Sequence, residues 1–363
     1  MGSIGQIATP PRRIELAGSP HEIGLEHGRQ LSQEIRSQIE VYTAMFKQTS
    51  KLDWPDVREV SRDYAQTVQR LTPDVYSEME GIAEGARLDI LDIVALNSRS
   101  EIALGLFSDG CSSLGWKRQD HVLLAQNWDW TARVKTNCVL MSIKQENKPV
   151  IWMVTEAGIV GKIGFNSAGV GVCLNAIRAK PVDSSKLPVH VALRVCLDSK
   201  TKQEAFSRVT DLGGVASAQH ILIADAEGPV SWEVSPKGDV QIEPDEDGLV
   251  CHTNHMIQNK FINEPPWLSG SPTRLQRIRE LSKKLEQSEQ NFGTQKLRDR
   301  VFSDTYNAPQ AICCQEDPSR PIETRSSTLF NIITKFGQDH PVAEVVWGRP
   351  GSGEEGEVIS MPW

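Results

Sequence analysis

The chain has 363 residues, and its 47 Asp and Glu outnumber its 39 Lys and Arg to give a formal net charge of −8. This charge argues against a nucleic-acid partner, because phosphate binding needs a clustered basic surface. The hydrophobic share of 39% is typical of a globular protein with a buried core, and no apolar run approaches the roughly 20 residues that cross a bilayer.

The first hundred residues are predicted to be mostly helical, over 19–104. Four helix starts combine a polar cap with Pro or Asp in the first turn, near Pro20, Trp54, Thr72 and Leu88. Such residues are favoured there because the first N–H groups lack helical partners and the dipole is positive at that end. The pattern therefore predicts a helical N-terminal segment.

At Gly110 the hydrophobic period changes from that of helices to that of strands. Short β-favouring runs separated by turn residues then predict successive antiparallel hairpins. These runs cover 111–116, 122–126, 138–144, 150–155, 161–166 and 169–174.

The rest of the chain alternates blocks of helices with blocks of strands. Helices are predicted at 187–199, 201–212, 271–290 and 294–303, and strands around 220–224, 230–234, 239–242, 327–334 and 342–348. Such blocks favour stacked layers over βαβ repeats. The expected fold class is α+β, with helices covering antiparallel sheets.

Cys111 lies where the helical and β regions meet, in the turn-like stretch SDGCSSLGW at 108–116. A cysteine is more often a buried thiol than a nucleophile. Here Gly110 leaves the preceding carbonyl carbon open to attack by the thiol. Transfer of the acyl group from nitrogen to sulfur, followed by hydrolysis, would release Cys111 as a new N-terminus. Its α-amine would then serve as the base for its own thiol.

Four polar residues at the ends of β-favouring runs are candidates for the same site. A hairpin that begins at Cys111 brings Asn127 and Asp129 back towards it, although both residues are also suited to closing a turn. Asn175 follows the run VGVC, and Asn254 lies within CHTNHM. Asparagine amides are suitable donors to a tetrahedral oxyanion, while a polar residue after a strand is often only a loop start.

Two other kinds of site are considered. His252 and His255, with Cys251 beside them, offer zinc ligands, but their spacing matches neither C-x-x-C nor H-E-x-x-H. The glycine-rich run at 158–164 lacks the Walker spacing, so a hairpin is the simpler interpretation. We therefore expect no metal and no bound cofactor.

The seven cysteines have no repeated spacing, and their number is odd. A secreted disulfide framework is therefore not expected, and most of these thiols should be small buried hydrophobic groups. The ending Ser360-Met361-Pro362-Trp363 also lacks a Ser-Lys-Leu-like peroxisomal address. The expected location is cytoplasmic.

Motifs along nearly the whole chain are similar to those of one family. They are HEIGLEHG at 21–28, EGIAEGA at 80–86, DGCSS at 109–113, QNWDW at 126–130, TEAGIVGKIGFNSAGVGV at 155–172, HTNH at 252–255, STLFNII at 327–333 and GRP at 348–350. On these residues the chain resembles the fungal acyl-coenzyme A:6-aminopenicillanic acid acyltransferase (isopenicillin N acyltransferase) family. These are peptidase C45-like members of the N-terminal nucleophile (Ntn) hydrolase superfamily.

The resemblance implies one Ntn-hydrolase domain over 1–363, a four-layer αββα sandwich with two antiparallel sheets between helical layers. It implies a precursor that cuts itself between Gly110 and Cys111. The helical segment 1–110 and the catalytic segment 111–363 would then stay together as a heterodimer.

The resemblance also implies roles for individual residues. Cys111 would be the nucleophile for self-cleavage and turnover, Asp129 would lie near the freed amine, and Asn254 would help to form the oxyanion site. Asn175 and Arg325 match residues of the substrate site, and Asn127 is grouped with them as a substrate-binding candidate.

The function implied is an acyl-CoA-dependent N-acyltransferase of secondary metabolism, with acyl-CoA as co-substrate and a small amine as acceptor. An amide or peptide hydrolase that uses the same acyl-enzyme is the first alternative. An uncleaved, non-catalytic binding member of the fold is the second.

Overall fold

The computed structural model describes residues 10–103, 110–266, 270–289, 291–337 and 340–363. Within these ranges two β-sheets pack face to face, and helices cover the outer side of each sheet. The predicted α+β class, with two sheets between helical layers, is confirmed. Residues 108 and 109, beside Cys111, and the predicted helix ends at 104 and 290 lie outside the described residues.

The N-terminal segment is helical, as predicted, after one strand that was not predicted. Its elements are β1 (Arg12–Ala17), α1 (Pro20–Gln30), α2 (Ser32–Thr49), α3 (Trp54–Leu71), α4 (Pro73–Ala86), α5 (Ile90–Asn97) and α6 (Arg99–Ile102). Ser19, Asp53 and Asp89 cap α1, α3 and α5 with capping boxes, which satisfy N–H groups that the helices leave unpaired. Three of the four predicted helix starts thus have the predicted polar cap, while α4 begins at Pro73 without a side-chain cap.

Glycines allow α1 and α4 to cross at backbone contact. A Cβ on Gly28 would lie 2.2 Å from the Ile82 carbonyl oxygen, and one on Gly85 would lie 2.2 Å from that of Leu25. No side chain fits in this space. The motifs HEIGLEHG and EGIAEGA are thus the two sides of one helix crossing.

The first sheet is a meander with one parallel edge strand. Its strands, in spatial order, are β1, β4 (Cys138–Lys144), β5 (Ile151–Glu156), β6 (Ile163–Asn166), β7 (Gly171–Ala176), β8 (Gln219–Asp225), β9 (Gly228–Val234) and β10 (Val240–Ile242). β1 pairs with β4 in parallel, and the other neighbours are antiparallel. The edge strand β1 therefore attaches the N-terminal segment to this sheet.

The second sheet is antiparallel throughout its described pairs. Its strands, in spatial order, are β11 (Leu249–His252), β2 (Ser112–Lys117), β3 (Val122–Thr131), β12 (Ser326–Phe336), β13 (Val342–Trp347) and β14 (Val358–Met361). The antiparallel hairpins predicted in succession over 111–174 do not lie in one sheet, because a 3₁₀ turn at Ala132–Asn137 takes the chain from β3 to the other sheet. Alternating hydrophobicity identifies strands but does not say which sheet they join.

The remaining helices complete the outer layers. α7 (Val189–Leu197) and α8 (Lys202–Asp211) pack on the first sheet, and α9 (Ser271–Ser288) packs on the second. α10 (Thr294–Leu297) continues into a π-helical turn at Arg298–Phe302. None of the described helices is long and apolar enough to cross a bilayer.

Candidate active site

Cys111 is buried immediately before β2, with 3% of its surface exposed. β2 pairs with β3 so that Ser112 lies opposite Asn127, and β3 continues to Asp129 beside the cysteine. The Cys111 Sγ lies 3.9 Å from the Asp129 carbonyl oxygen. The predicted hairpin therefore does bring Asp129 to Cys111.

Three side chains hold the backbone of Cys111. Its N–H donates to Asn254 Oδ1 at 2.8 Å, and its carbonyl oxygen accepts from Asn175 Nδ2 at 3.0 Å and from Arg274 Nη1 at 2.6 Å. Asn254 Oδ1 also accepts from Arg274 Nη2 at 3.0 Å. Groups from β7, α9 and the turn after β11 thus fix the main chain of a single residue.

The Asp129 carboxylate lies beside Gly110. Thr328 Oγ1 donates to Asp129 Oδ1 at 2.6 Å, from a position where β12 shifts register against β3. A Cβ built on Gly110 would lie 3.1 Å from Asp129 Oδ2 and 3.2 Å from Arg274 Cζ. Because such contacts are tighter than ordinary packing, glycine suits this close approach of a carboxylate and a guanidinium to the Gly110 backbone.

Asn254 is fixed through three different groups. Its main-chain N–H donates to Ser271 Oγ at 2.8 Å, and its Nδ2 donates to the Ala176 carbonyl oxygen at 2.9 Å. Its Oδ1 is therefore the atom that faces the nitrogen of Cys111. In this arrangement Asn254 is suited to holding an amine, and its role at the oxyanion stays a prediction.

Asn127 and Arg325 bond to main-chain atoms away from Cys111. Asn127 Nδ2 donates to the carbonyl oxygens of Phe302 and Ile312 at 2.8 and 2.9 Å. Arg325 donates to two carbonyl oxygens of its own loop, at 2.7 and 2.8 Å. These bonds give both side chains a structural role. Contact with a substrate stays a prediction for each residue.

Arg274 is the site residue that sequence reasoning missed. Its side chain is 1% exposed, although arginine is rarely buried without partners. The residue lies in the first turn of α9, where the helix dipole disfavours a positive charge. The sequence did contain a signal for Arg274: helix stability alone does not favour a basic residue in the first turn, so its presence there points to another role.

A narrow cleft opens beside Gly110. It is lined by Gly110, Arg274, Gln310, Asp317 and Arg320, among others. Asp317 and Arg320 form an ion pair with an Oδ2 to Nε distance of 3.4 Å. Hydrogen-bonding groups of both charges therefore surround the approach to the Gly110–Cys111 bond.

The other cysteines have the properties of buried structural residues. All seven thiols are free and buried, which confirms the prediction that most are small hydrophobic groups. Burial raises the pKa of the Cys196 and Cys251 thiols to about 12. Such thiols stay protonated at neutral pH and are poor nucleophiles.

The histidines considered as zinc ligands bind protein groups instead. His252 Nε2 lies 2.8 Å from Glu233 Oε1, and its Nδ1 lies 2.9 Å from the Thr253 carbonyl oxygen. His255 Nδ1 lies 2.7 Å from Ser271 Oγ, and burial together with the nearby His252 and Arg274 lowers the pKa of His255 to about 4. Across the described ranges, no three His, Cys, Asp or Glu side chains are arranged so that they could hold a metal ion.

Comparison with known proteins establishes the family. The model of the family described as acyl-coenzyme A:6-aminopenicillanic acid acyl-transferase matches residues 116–350. The chain is also 34% identical over 352 residues to the acyl-coenzyme A:6-aminopenicillanic-acid-acyltransferase 40 kDa form of Emericella nidulans, covering 96% of both. The chain belongs to the acyl-CoA:6-aminopenicillanic acid acyltransferase family. The resemblance inferred from the colinear motifs is confirmed.

Solved structures similar to this chain include a bile acid hydrolase and a penicillin acylase. A variant of conjugated bile acid hydrolase from Clostridium perfringens gives a TM-score of 0.46 at 10% identity, covering 70% of this chain and 97% of that one. Penicillin V acylase from Agrobacterium tumefaciens gives 0.39 at 13% identity, covering 65% of this chain and 82% of that one.

Proposed function

We propose that the protein is a self-activating acyltransferase in which Cys111 carries the acyl group as a thioester. The observation that carries the proposal is the convergence of Asn175, Asn254 and Arg274 on the backbone atoms of Cys111. A cysteine that only fills space in the core does not need side chains to bind both its main-chain N–H and its carbonyl oxygen.

Activation begins with attack of the Cys111 thiol on the Gly110 carbonyl carbon. The bond from that carbon to the Cys111 nitrogen breaks, the nitrogen takes a proton, and a thioester is left. Water then hydrolyses the thioester, which frees the Gly110 carboxylate and the Cys111 thiol and leaves the Cys111 amine as a new N-terminus. The close approach of Asp129 and Arg274 to Gly110 supports a role for both in this step.

Turnover repeats the same chemistry on an external acyl group. The freed amine of Cys111, held by Asn254 Oδ1, takes the thiol proton, and Sγ attacks the carbonyl of an acyl-CoA. The CoA thiol leaves with a proton. An acceptor amine then attacks the acyl-enzyme, and the product amide departs as the Cys111 thiol is restored.

The proposed substrate classes come from the relative that matches 96% of the chain. Its printed name specifies acyl-coenzyme A and 6-aminopenicillanic acid. For this protein we propose an acyl-CoA donor and a small amine acceptor in secondary metabolism. With an amide in place of the acyl-CoA as donor and water in place of the amine as acceptor, the same site would be an amide hydrolase.

Buried polar contacts support a lasting union of segments 1–110 and 111–363. Arg99 pairs with Glu156 at 2.8 Å, and Arg194 pairs with Glu78 at 2.8 Å, with all four side chains at most 4% exposed. Breaking a buried pair leaves an uncompensated charge. The two segments are therefore expected to stay together as a heterodimer after cleavage.

Replacement of the nucleophile tests the function. Cys111→Ala should abolish acyl transfer from acyl-CoA to a panel of amines, followed as free CoA and product amide, and should leave the chain uncut. Cys251→Ala is the matched control, since its thiol is equally buried; it should keep both activities. Amide formation by Cys111→Ala would refute the proposal, and release of free acid alone by the wild type would identify a hydrolase.

A further inference from the structure

A layer of buried polar side chains lies between the two sheets beneath Cys111. It is unusual because the rest of the inter-sheet space is mainly apolar. Its members are Ser113, Gln126 and His252 from the second sheet and Asn175, His220, Ser231 and Glu233 from the first, all fully buried. Since each buried polar group must find a partner, this layer has a defined pattern of donors and acceptors.

The carbonyl oxygen of Cys111 determines how the Asn175 amide is oriented. A carbonyl oxygen only accepts, so the amide atom that faces it at 3.0 Å must be Nδ2. Asn175 Oδ1 therefore points into the polar layer, where Ser113 Oγ donates to it at 2.8 Å and His220 Nδ1 donates at 3.0 Å.

The same reasoning fixes the tautomer of His220. Because Asn175 Oδ1 only accepts, His220 Nδ1 carries the hydrogen, and Nε2 accepts from Ser231 Oγ at 2.9 Å. Burial, together with the neighbouring His252, lowers the pKa of His220 well below its usual value. His220 is thus a neutral, permanent donor.

His252 and Glu233 hold the ring of His220 in place. The two imidazoles stack with ring centroids 3.5 Å apart and an interplanar angle of 8°. His252 Nε2 bonds to Glu233 Oε1 at 2.8 Å, and Glu233 also accepts from the main-chain N–H groups of Ile257, Gln258 and Asn259. Glu233 therefore anchors both the imidazole stack and the segment that follows Asn254.

We propose that His220 is a positioning residue for the acyl-transfer site, because its Nδ1–H holds Asn175 in the orientation that binds the Cys111 carbonyl. The inference rests on the proposed function of Cys111 and extends it to the polar layer. His220 touches no reacting atom. It acts by keeping the main chain of the nucleophile, and thus the direction of Sγ, fixed relative to the acyl carbonyl.

Two amide variants separate the two ring nitrogens of His220. The amide nitrogen of His220→Asn takes the place of Nδ1 and keeps the donor to Asn175. His220→Gln reaches the place of Nε2 near Ser231 and leaves Asn175 without that donor. The two variants share charge and polarity, so a difference between them reports the lost contact.

The kinetic expectation follows from misplacement of the nucleophile. His220→Gln should lower kcat for acyl transfer and the rate of self-cleavage about 10- to 100-fold while the KM for the acyl donor changes little, and His220→Asn should stay near the wild type. His190→Gln is the control: His190 is equally buried and bonds to the Gly161 carbonyl oxygen. It should keep wild-type kcat whatever its effect on the melting temperature.

Crystal structures of the variants make the test independent of activity. The distance from Asn175 Nδ2 to the Cys111 carbonyl oxygen should exceed about 3.5 Å in His220→Gln and stay near its present length in His220→Asn. If these distances are found but the wild-type protein shows no acyl transfer, the proposed function is refuted while the positioning of Asn175 by His220 stays supported. An unchanged contact with wild-type kcat in His220→Gln, or loss of the contact in His220→Asn, would overturn the positioning role.

Discussion

Arg274 joins the two ends of the Cys111 residue through one planar group. Its Nη1 binds the Cys111 carbonyl oxygen and Ser112 Oγ, while its Nη2 binds Asn254 Oδ1, the acceptor of the Cys111 N–H. A guanidinium offers these donors in a fixed fork, whereas an ammonium is a point charge on a flexible stem. Charge alone is therefore not sufficient at this position.

Arg274→Lys should lower kcat for acyl transfer about 100-fold, because one ammonium cannot bind both oxygens in the same geometry. Steady-state kinetics with a fixed acyl-CoA and amine would measure the effect. Arg279→Lys, an exposed change on the same helix, is the control and should leave kcat unchanged. Equal kcat values for Arg274→Lys and the wild type would remove Arg274 from the site.

The sequence was more informative about the proposed nucleophile than about the residues that hold its backbone. Cys111, Asp129, Asn175 and Asn254 were selected from turn chemistry, strand ends and motifs, and the structure brings them together. His220 lies in β8, QHILIAD, directly before the apolar residues ILIA, where a histidine is usually a core residue. Its partner Asn175 is distant in sequence, so only the register of β7 against β8 brings the two together.

At the scale of elements, the first turn of α9 carries two groups that organise the site. Ser271 and Arg274 are three residues apart and so lie on one helix face. Ser271 Oγ accepts from the Asn254 N–H at 2.8 Å and lies 2.9 Å from Thr253 Oγ1. The start of this helix therefore positions the turn after β11 as well as Cys111.

Ser271→Ala should lower the free energy of unfolding by about 1–3 kcal/mol, because it leaves the buried Asn254 N–H without its acceptor. It should also lower kcat as Asn254 shifts. Chemical denaturation and kinetics on the same preparation would measure both effects. Ser282→Ala changes a serine that is also buried on α9. Ser282 Oγ has no hydrogen-bond partner among the described residues. Equal losses in the two variants would contradict this role of Ser271.

Element prediction succeeded where local pattern decides the structure. The strand predicted over 138–144 has the same bounds as β4, Cys138–Lys144. β11, Leu249–His252, was missed, and its pairing with β2 is what makes it a strand. The assignment of strands to two sheets also depends on partners remote in the chain.

At the scale of the whole molecule, the helical segment is joined to the sheets by buried polar contacts. His27 Nε2 accepts from the Gly158 N–H at 2.9 Å, and Asn97 Oδ1 accepts from the Val160 N–H at 3.0 Å. Each of these contacts crosses the proposed cleavage point. The contact of His27 links the motif at 21–28 to the motif at 155–172, and that of Asn97 links α5 to the same motif.

Stability should fall with acid because His27 is buried in its neutral form. Burial, with a contribution from Arg194, lowers the pKa of His27 to about 3. Between about pH 6.5 and 3 the unfolded chain binds a proton that the native state does not, so acidification favours unfolding by about 1.4 kcal/mol per pH unit. Above about pH 6.5 His27 is neutral in both states, so this loss of stability is absent.

His27→Gln should reduce that slope, since the amide oxygen accepts the Gly158 N–H without titrating. Denaturation at several pH values, in a Cys111→Ala background that keeps the chain in one piece, would measure the slope. His340→Gln, at an exposed position, is the control and should keep the parent slope. An identical pH dependence for His27→Gln and its parent would show that His27 does not contribute.

The mass of the purified wild-type protein tests the central claim most directly. The account predicts two species that elute together, one ending at Gly110 and one beginning at Cys111, with the cut confirmed by N-terminal sequencing. A single chain of 40.3 kDa that stays whole during prolonged incubation would contradict self-activation at Cys111.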